Sequence, residues 1–323
     1  MMSPTLLKVL QALCEKTPRT ALQKAAEALS LRYRTRQNQN ISFIQTNEEA
    51  LAYLSIRFPA TYAVSKAIYQ RFLMQEEAEV GSFLDIGSGA FSSFFAAHEC
   101  FSQIDRAYFI EKDLRLLEMG KKLLKEVAED VKPDFRCEDF TKVKEFPSAD
   151  LVVFSYSIGE VVEASYKELL SKAVKATQKY ILIVEPGTPY GFERILKIRE
   201  ELLSLGLYVV APCPHAFSCP IPEKKWCHFS ERLPRTALHK FLKGGDVGYE
   251  DEKYSYLLFS KELAKPYWGR ITSHLDKKKG FLNFEVCQSD GQLVHQKVLK
   301  RNEDSFALCK KLDWGDNIQK NLK

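Results

Sequence analysis

No run of apolar residues in this chain reaches the ~18 needed to cross a bilayer. The N-terminus also lacks the compact apolar segment and small-residue cleavage site of a secretory signal. These absences exclude a membrane-spanning helix and export, so the chain reads as soluble, cytoplasmic and without a membrane partner. The stretch from Met1 to Arg36 is basic enough to raise a transit peptide, and with it the mitochondrial matrix, although Glu15 and Glu27 argue against that alternative. Internal repeats and low-complexity segments are missing, which removes repeat architectures from consideration. A strong charge bias is missing too: the net charge of +5 is compatible with a polyanionic partner but does not demonstrate one. The single conspicuous charge run, Lys277-Lys278-Lys279 before Gly280, reads as a solvated turn.

What the chain does have is a sequence of distinct patterns. Between Thr5 and Leu31 apolar residues recur at helical spacing (Leu6, Val9, Leu10, Leu13, then Leu22, Ala25, Ala26, Leu29), and Thr17-Pro18 breaks them into a helical hairpin. A second helical stretch runs from Glu48 to about Met74, interrupted near Arg57-Phe58, with Pro59 placed to open the next helix. From Ser82 to Lys261 short apolar runs alternate with helical segments, the signature of a parallel sheet with crossovers. The expected strands are Phe83–Ile86, Ala107–Ile110, Asp134–Cys137, Leu151–Ser155, Tyr180–Val184, Tyr208–Ala211 and Tyr254–Phe259. Seven strands fit a doubly wound α/β sheet, the last one antiparallel because the prolines between Pro212 and Pro222 leave no crossover helix before it. After Pro266 alternation dominates, at Arg270–Ser273, Phe281–Cys287, Leu293–Lys300 and Phe306–Lys310, with Ser289-Asp290-Gly291 as a hairpin turn. The expected division is a helical region over 1–78, an α/β domain over 79–264 with a cysteine-rich insertion at 211–248, and a small β domain over 265–323.

Leu84-Asp85-Ile86-Gly87-Ser88-Gly89-Ala90 follows an expected strand and leads into a helix starting near Ser92. Glycines at such a turn let the backbone approach a ligand and leave helix N–H groups aimed at it. A tight structural turn would explain the glycines alone, but acids stand beside them. Glu111 ends the next strand, where a carboxylate accepts both ribose hydroxyls. Asp85 stands where methyltransferases of this fold place an acid near the methionine end of the cofactor, and Asp139 ends the third strand, where the adenine would be held. In these residues the chain resembles class I S-adenosylmethionine-dependent methyltransferases. The resemblance implies a Rossmann-like seven-stranded sheet and a cofactor site at Asp85, Gly87, Gly89, Glu111, Asp139 and Ser155. One departure is Phe91 in place of the pattern's third glycine, with a bulk expected to narrow the cofactor site.

Eight cysteines in an unexported chain are not expected to pair as disulfides. Cys213, Cys219 and Cys227 share one proline-rich loop, whose stiffness lowers the entropy cost of presenting thiolates convergently, and Cys287 in the β domain is placed to close the set. Four thiolates suit tetrahedral zinc or a [4Fe–4S] cluster. The absence of a Cys-x-x-Cys knuckle favours the cluster, with His215 and His228 as further zinc ligands on the other reading.

Longer motifs point the same way. Val184-Glu-Pro-Gly-Thr-Pro-Tyr-Gly-Phe192, Ala211-Pro-Cys-Pro-His215, Trp226-Cys-His-Phe229 and Tyr249-Glu-Asp-Glu-Lys-Tyr-Ser-Tyr256, with Phe58-Pro-Ala-Thr-Tyr62 upstream, are similar to the ribosomal small-subunit assembly family of methyltransferase-like proteins. That family has mitochondrial and bacterial members. The resemblance covers most of the chain from about Leu29, which weakens the transit-peptide alternative. It implies that Cys213, Cys219, Cys227 and Cys287 hold a [4Fe–4S] cluster, that the protein binds the small ribosomal subunit during its maturation, and that cytosine methylation of small-subunit rRNA is linked to it.

Direct signs of chemistry are few. Methyl transfer to an exocyclic amine commonly uses an Asn/Asp/Ser-Pro-Pro-aromatic turn after the fourth strand, and this chain has Ser155-Tyr156-Ser157-Ile158-Gly159. Ring-carbon methylation needs a cysteine near the same strand end, whereas Cys137 on the third strand reads as core, so no residue is assigned a catalytic role. RNA binding asks less: Lys224, Lys225, Trp226, Arg232, Arg235 and Lys243 flank the cysteine loop, a mix suited to phosphate contact and base stacking. The plainer reading is that Trp226 and Phe229 cover the metal site while the cations are solvated. The expectation is a monomeric assembly factor on small-subunit rRNA. Its alternatives are an active rRNA (cytosine) methyltransferase and a zinc-stabilised methyltransferase with a non-RNA substrate.

Overall fold

The computed structural model describes residues 2–35 and 43–319; the ends of the expected first and last regions, Met1 and 320–323, lie outside the described residues. Helices α1 (Pro4–Glu15) and α2 (Arg19–Thr35) are separated at Thr17-Pro18 as expected, but they do not pack as a hairpin: α1 lies against α3 and α5, and α2 against α3 and α8. Ser3 caps α1 by accepting from the Leu6 N–H, and the helix buries Leu6, Leu10 and Cys14. Helix α3 (Asn47–Gln75) corrects the sequence reading: it runs unbroken through Pro59. A proline there costs an intrahelical bond, but Phe58, Tyr62, Ile68, Tyr69 and Phe72 on both sides of it are buried, so a break would expose one half.

The α/β domain follows in the order β1 (Ser82–Ile86), α4 (Ser92–Cys100), β2 (Arg106–Ile110), α5 (Leu114–Val127), β3 (Lys132–Arg136), β4 (Ala149–Ser155), α6 (Tyr166–Ala176), β5 (Thr177–Pro186), α7 (Pro189–Ser204), β6 (Tyr208–Ala211), β7 (Phe229–Pro234), α8 (Ala237–Lys243) and β8 (Tyr249–Ser260). The strand order is β3-β2-β1-β4-β5-β8-β6, with β7 paired to the first half of β8. β1 to β5 run parallel and β8 runs antiparallel to its neighbours, the class I methyltransferase arrangement. One apolar layer packs α1 to α5 on one face of the sheet, and a second packs α6 and α7 on the other. β7 was not expected from the sequence. Cys137, expected in the core, lies exposed just past β3.

The C-terminal unit holds β9 (Gly269–Ile271), β10 (Asp276–Lys277), β11 (Phe281–Gln288), β12 (Leu293–Leu299), α9 (Glu303–Lys310) and β13 (Asn317–Ile318), ordered β10-β11-β9-β13 with β12 on β11. The strand expected at Phe306–Lys310 is instead α9. Phe306 and Cys309, three apart, turn to one face and pack on the small core, and Glu303 and Asp304 sit in the first turn, where the helix dipole favours acids. Among the described residues, no helix is long and apolar enough to cross a membrane.

Candidate cofactor cleft and thiol cavity

The C-terminal ends of β1, β2 and β4 open onto a cleft of about 370 Å³. Gly87, Gly89, Glu111, Ser155 and Tyr156 form one wall, and Tyr53, Arg57 and Thr61 of α3 with Glu252 of β8 also line it. Gly87 has φ of 73°, and a Cβ there would lie 2.4 Å from Ser157 Cβ, so only glycine fits. The Gly89 and Asp113 N–H groups each donate 2.8 Å bonds to the two oxygens of Glu111. The backbone thus pins this carboxylate, and each oxygen keeps a second lone pair for a hydroxyl. Burial raises the pKa of Glu111 despite those bonds. Arg57 makes a two-pronged bond to Glu252 (3.0 and 3.2 Å) and lies 5.6 Å from the Tyr156 ring, while Lys112 pairs with Glu160 at the rim. Ser155 Oγ and the Tyr156 hydroxyl are buried with no hydrogen-bond partner among the described residues. Orphaned groups at the wall of a cleft this size fit an adenosine-type ligand.

Two of the nominated residues stand outside the cleft wall, and Phe91 turns away from it. Asp85 is 1% exposed and is not part of the cleft wall; neither carboxylate oxygen has a partner among the described residues. Burial, and then the charge of Glu111, push its pKa up to about 8. Asp139 also stays out of the cleft wall and instead caps a short turn, accepting from the Thr141 N–H (3.0 Å) and hydroxyl (2.7 Å). Phe91 does not narrow the cleft: its φ of 70° turns it into the core, where it stacks on Phe109 with ring centroids 3.9 Å apart. A Cβ on Gly120 of α5 would meet the Phe91 ring at 2.5 Å. Gly120→Ala is therefore expected to destabilise the fold by about 1–3 kcal/mol through overpacking, read from the shift in a urea unfolding midpoint.

After a cis Ala211–Pro212 bond the cysteine loop begins. Cys213, Cys219 and Cys227 of that loop and Cys287 of β11 line one cavity. The Ser255 hydroxyl donates to the Cys227 carbonyl (2.8 Å), and Trp226 Nε1 donates to the Gly187 carbonyl (3.0 Å), tying the loop to β8 and to the turn before α7. All eight cysteines are free. Burial first, then the neighbouring thiols, push the Cys227 and Cys287 thiols up, so without a bound cation they stay neutral.

The same cavity carries two residues that sequence reasoning missed. Arg199 and Arg270 line it at 4% and 2% exposure, and neither has a carboxylate partner among the described residues. Arg199 donates to the His215 carbonyl (2.8 Å). Arg270 donates to the carbonyls of Pro212 (2.9 Å) and Gly315 (2.8 Å), to Gln75 Oε1 (3.3 Å) and to the Tyr267 hydroxyl (2.9 Å). Buried cations without a counter-charge are costly, so these two call for an anion between them. Among the described residues no three His, Cys, Asp or Glu side chains converge as a single ion would require. His215 Nε2 lies 3.3 Å from Cys287 Sγ, whereas His228 lies outside the cavity wall, 3.2 Å from the Trp226 carbonyl and stacked on the Trp226 ring.

The cations expected to meet RNA beside this loop are mostly occupied within the chain. Arg232 holds Asp251 (2.7 Å), Arg235 and Lys243 both hold Glu250, and Lys225 holds Glu285 (3.0 Å). Lys224 is exposed, and Trp226 is half-buried with its N–H engaged as above. Arg232–Asp251 is an exposed pair, weak at on the order of 0–1 kcal/mol, whereas Arg235 and Lys243 hold a Glu250 whose side chain is largely buried.

Residues 47–319 match a family model described as "Mitochondrial small ribosomal subunit Rsm22". Over 306 residues the chain is 26% identical to the human "Ribosome assembly protein METTL17, mitochondrial", covering 89% of this chain and 66% of that protein. It is 22% identical over 330 residues to the Schizosaccharomyces pombe "Rsm22-cox11 tandem protein 2, mitochondrial", covering 84% of this chain and 43% of the relative. The chain therefore spans about two thirds of the human relative and under half of the yeast one. Similar solved structures include magnesium protoporphyrin IX methyltransferase from Synechocystis with bound SAM (8% identity, TM-score 0.42, 71% of this chain and 90% of that one). Another is precorrin-6y C5,15-methyltransferase from Geobacter metallireducens (16% identity, TM-score 0.39, 62% and 87%).

Proposed function

The chain belongs to the mitochondrial small ribosomal subunit Rsm22 family, and from that premise we propose that it is an rRNA-binding assembly factor of the small ribosomal subunit. On this reading its methyltransferase-like core takes S-adenosylmethionine in the cleft, and Cys213, Cys219, Cys227 and Cys287 hold a [4Fe–4S] cluster. The observation that carries the reading is the cavity lined by four cysteines and by two buried arginines that have no acid partners among the described residues. A doubly positive [4Fe–4S] core with four thiolates is a dianion, the counter-charge that Arg199 and Arg270 lack. Zinc with four thiolates would carry the same charge. However, Zn–S bonds of about 2.3 Å draw the sulfurs to within about 3.8 Å of one another, and the thiols here ring a cavity. Both named relatives are mitochondrial proteins, one of them a ribosome assembly protein, which supports the matrix alternative over the cytoplasm.

S-adenosylmethionine, when bound, supplies an electrophilic methyl group. The chain's own part is to hold the ligand: Glu111, oriented by the Gly89 and Asp113 N–H groups, receives hydroxyls, and Ser155 and Tyr156 offer the orphaned hydroxyls at the cleft wall. Those same orphans favour a second reading, rRNA methyl transfer. Anaerobic purification is expected to give a brown protein with about four irons and four sulfides per chain. Zinc in their place, or a metal-free protein that still binds rRNA, would overturn the cluster. Incubation with labelled S-adenosylmethionine and immature small subunits separates the two readings, because label in the RNA appears only if methyl groups are transferred.

A further inference from the structure

The outer face of the C-terminal sheet meets the thiol cavity at Cys287, and beyond that residue neither site uses it. β11 turns Leu282, Phe284 and Val286 into the small core, which leaves Phe281, Asn283 and Glu285 on the opposite face. Among the described residues β12 pairs with β11 alone, and in register His295 stands beside Glu285 and Lys297 beside Asn283. At one end the Lys300 N–H donates to the Gly280 carbonyl (2.9 Å), which brings the turn carrying Lys279 against Lys300 and Arg301. The lysine triplet thus divides: Lys277 reaches the Lys310 carbonyl (3.3 Å) and Lys278 pairs with Asp276 (3.1 Å), but Lys279 is exposed. Lys279, Lys300 and Arg301 form no ion pair among the described residues, and Lys297 lies over the Phe281 ring at 4.5 Å. The acid of this face, Glu285, is held by Lys225 (3.0 Å) and His295 (3.6 Å). At the other end Phe217, 62% exposed, packs over Gly291 in the hairpin turn.

We infer that this face and the turn at its end dock an RNA phosphate backbone, with Lys297 on the face and Lys279, Lys300 and Arg301 at the turn taking phosphates. The inference rests on the rRNA-binding reading above and moves its main cationic contact from Arg232, Arg235 and Lys243, which already have acids, to the C-terminal sheet, keeping Phe217 as the cysteine loop's share. RNA is favoured over an acidic protein because half-buried Phe281 lies under Lys297 and exposed Phe217 stands at the hairpin-turn end of the strand, and single-stranded RNA uses cations and stacking rings together. The seven-residue strand spans roughly 23 Å, enough for several nucleotides.

The test is the triple variant Lys279→Glu/Lys297→Glu/Lys300→Glu, titrated with deproteinised small-subunit rRNA at several salt concentrations. Each phosphate contact contributes about 0.7–0.9 to the log–log salt slope, so the slope is expected to become shallower by about 2–3 and the affinity to fall at least about 30-fold at low salt. The companion Arg232→Glu/Lys243→Glu is expected to move the slope by less than about 1. All three lysines of the triple variant are exposed, so its thermal midpoint, measured alongside, is expected to match the wild type. Unchanged affinity and slope in the triple variant would overturn the inference. So would unchanged binding to bare rRNA with loss only on whole subunits, which assigns the face to a protein. A wild-type chain that binds no small-subunit rRNA at all sinks the proposed function, and this inference with it.

Discussion

If the proposed cluster is present, Cys287→Ser is expected to strip most of the iron from the protein and to lower its thermal midpoint by roughly 6–20 °C, far more than any surface substitution. The argument runs through charge. Arg199 and Arg270 are buried at the thiol cavity with no acid beside them among the described residues, so the two negative charges of the cluster proposed above would offset them. Removing one partner of a buried charge set costs about 3–5 kcal/mol, and each kcal/mol moves the midpoint of a chain this size by about 2–4 °C. The two arginines differ in a way that sharpens the test. Arg270 holds four groups from α3, the cysteine loop, the segment before β9 and the segment before β13, so its loss would orphan those groups as well. Arg199 makes one hydrogen bond. Arg199→Met should therefore harm the metal-loaded protein, yet return part of the lost stability when added to Cys287→Ser, because a buried charge disappears with the anion. Thermal scans of the four proteins close a double-mutant cycle. A midpoint and iron content unmoved by Cys287→Ser would sink the charge argument.

How much of this was readable beforehand depends on range. The strands β1, β2, β4 and β5 are short apolar runs bounded by turn residues, and the Gly87 and Gly89 turn follows from local sequence alone. β7 escaped because Phe229-Ser-Glu-Arg-Leu-Pro has neither an apolar run nor clean alternation; it forms by pairing with β8, where Arg232 lies opposite Asp251. Phe306 to Lys310 was assigned the wrong period, since two apolar residues three apart suit a helix face as well as a broken strand. The cysteine spacing suggested one centre, but whether Cys287 reaches the loop depends on a sheet formed sixty residues later in the chain. Arg199 and Arg270 gave no signal at all, because a buried arginine reads like any surface cation until its surroundings are known. The acids beside three of the cations nominated for RNA were hidden for the same reason: Glu250 and Asp251, which hold Arg232, Arg235 and Lys243, lie across a hairpin the sequence did not announce.

Asp85→Asn is expected to stabilise the protein at pH 8 by on the order of 3–5 kcal/mol and to have little effect near pH 4. Burial, then Glu111, raise the Asp85 carboxyl to about 8, against about 3.9 in an unfolded chain. Between those values the folded protein binds a proton that the unfolded chain has released, so stability falls as pH rises through the window. Each unit of that difference is worth about 1.4 kcal/mol, and an asparagine, neutral throughout, removes the decline. The removal is incomplete, because burial also raises Glu111 and Glu185, which titrate in the same sense. Glu250 and Asp251 are held below the ordinary carboxylate range by their cations and act only at lower pH. Urea unfolding of both proteins between pH 5 and pH 8.5 should thus give curves that converge toward acid and diverge toward base; parallel curves would show that Asp85 is not the group responsible. A buried acid that weakens the fold at working pH needs a reason to be there, and the adjoining glycine turn suggests ligand binding. S-adenosylmethionine should then raise the wild-type midpoint more than that of Asp85→Asn, and equal shifts would leave the carboxyl without a part in holding the ligand.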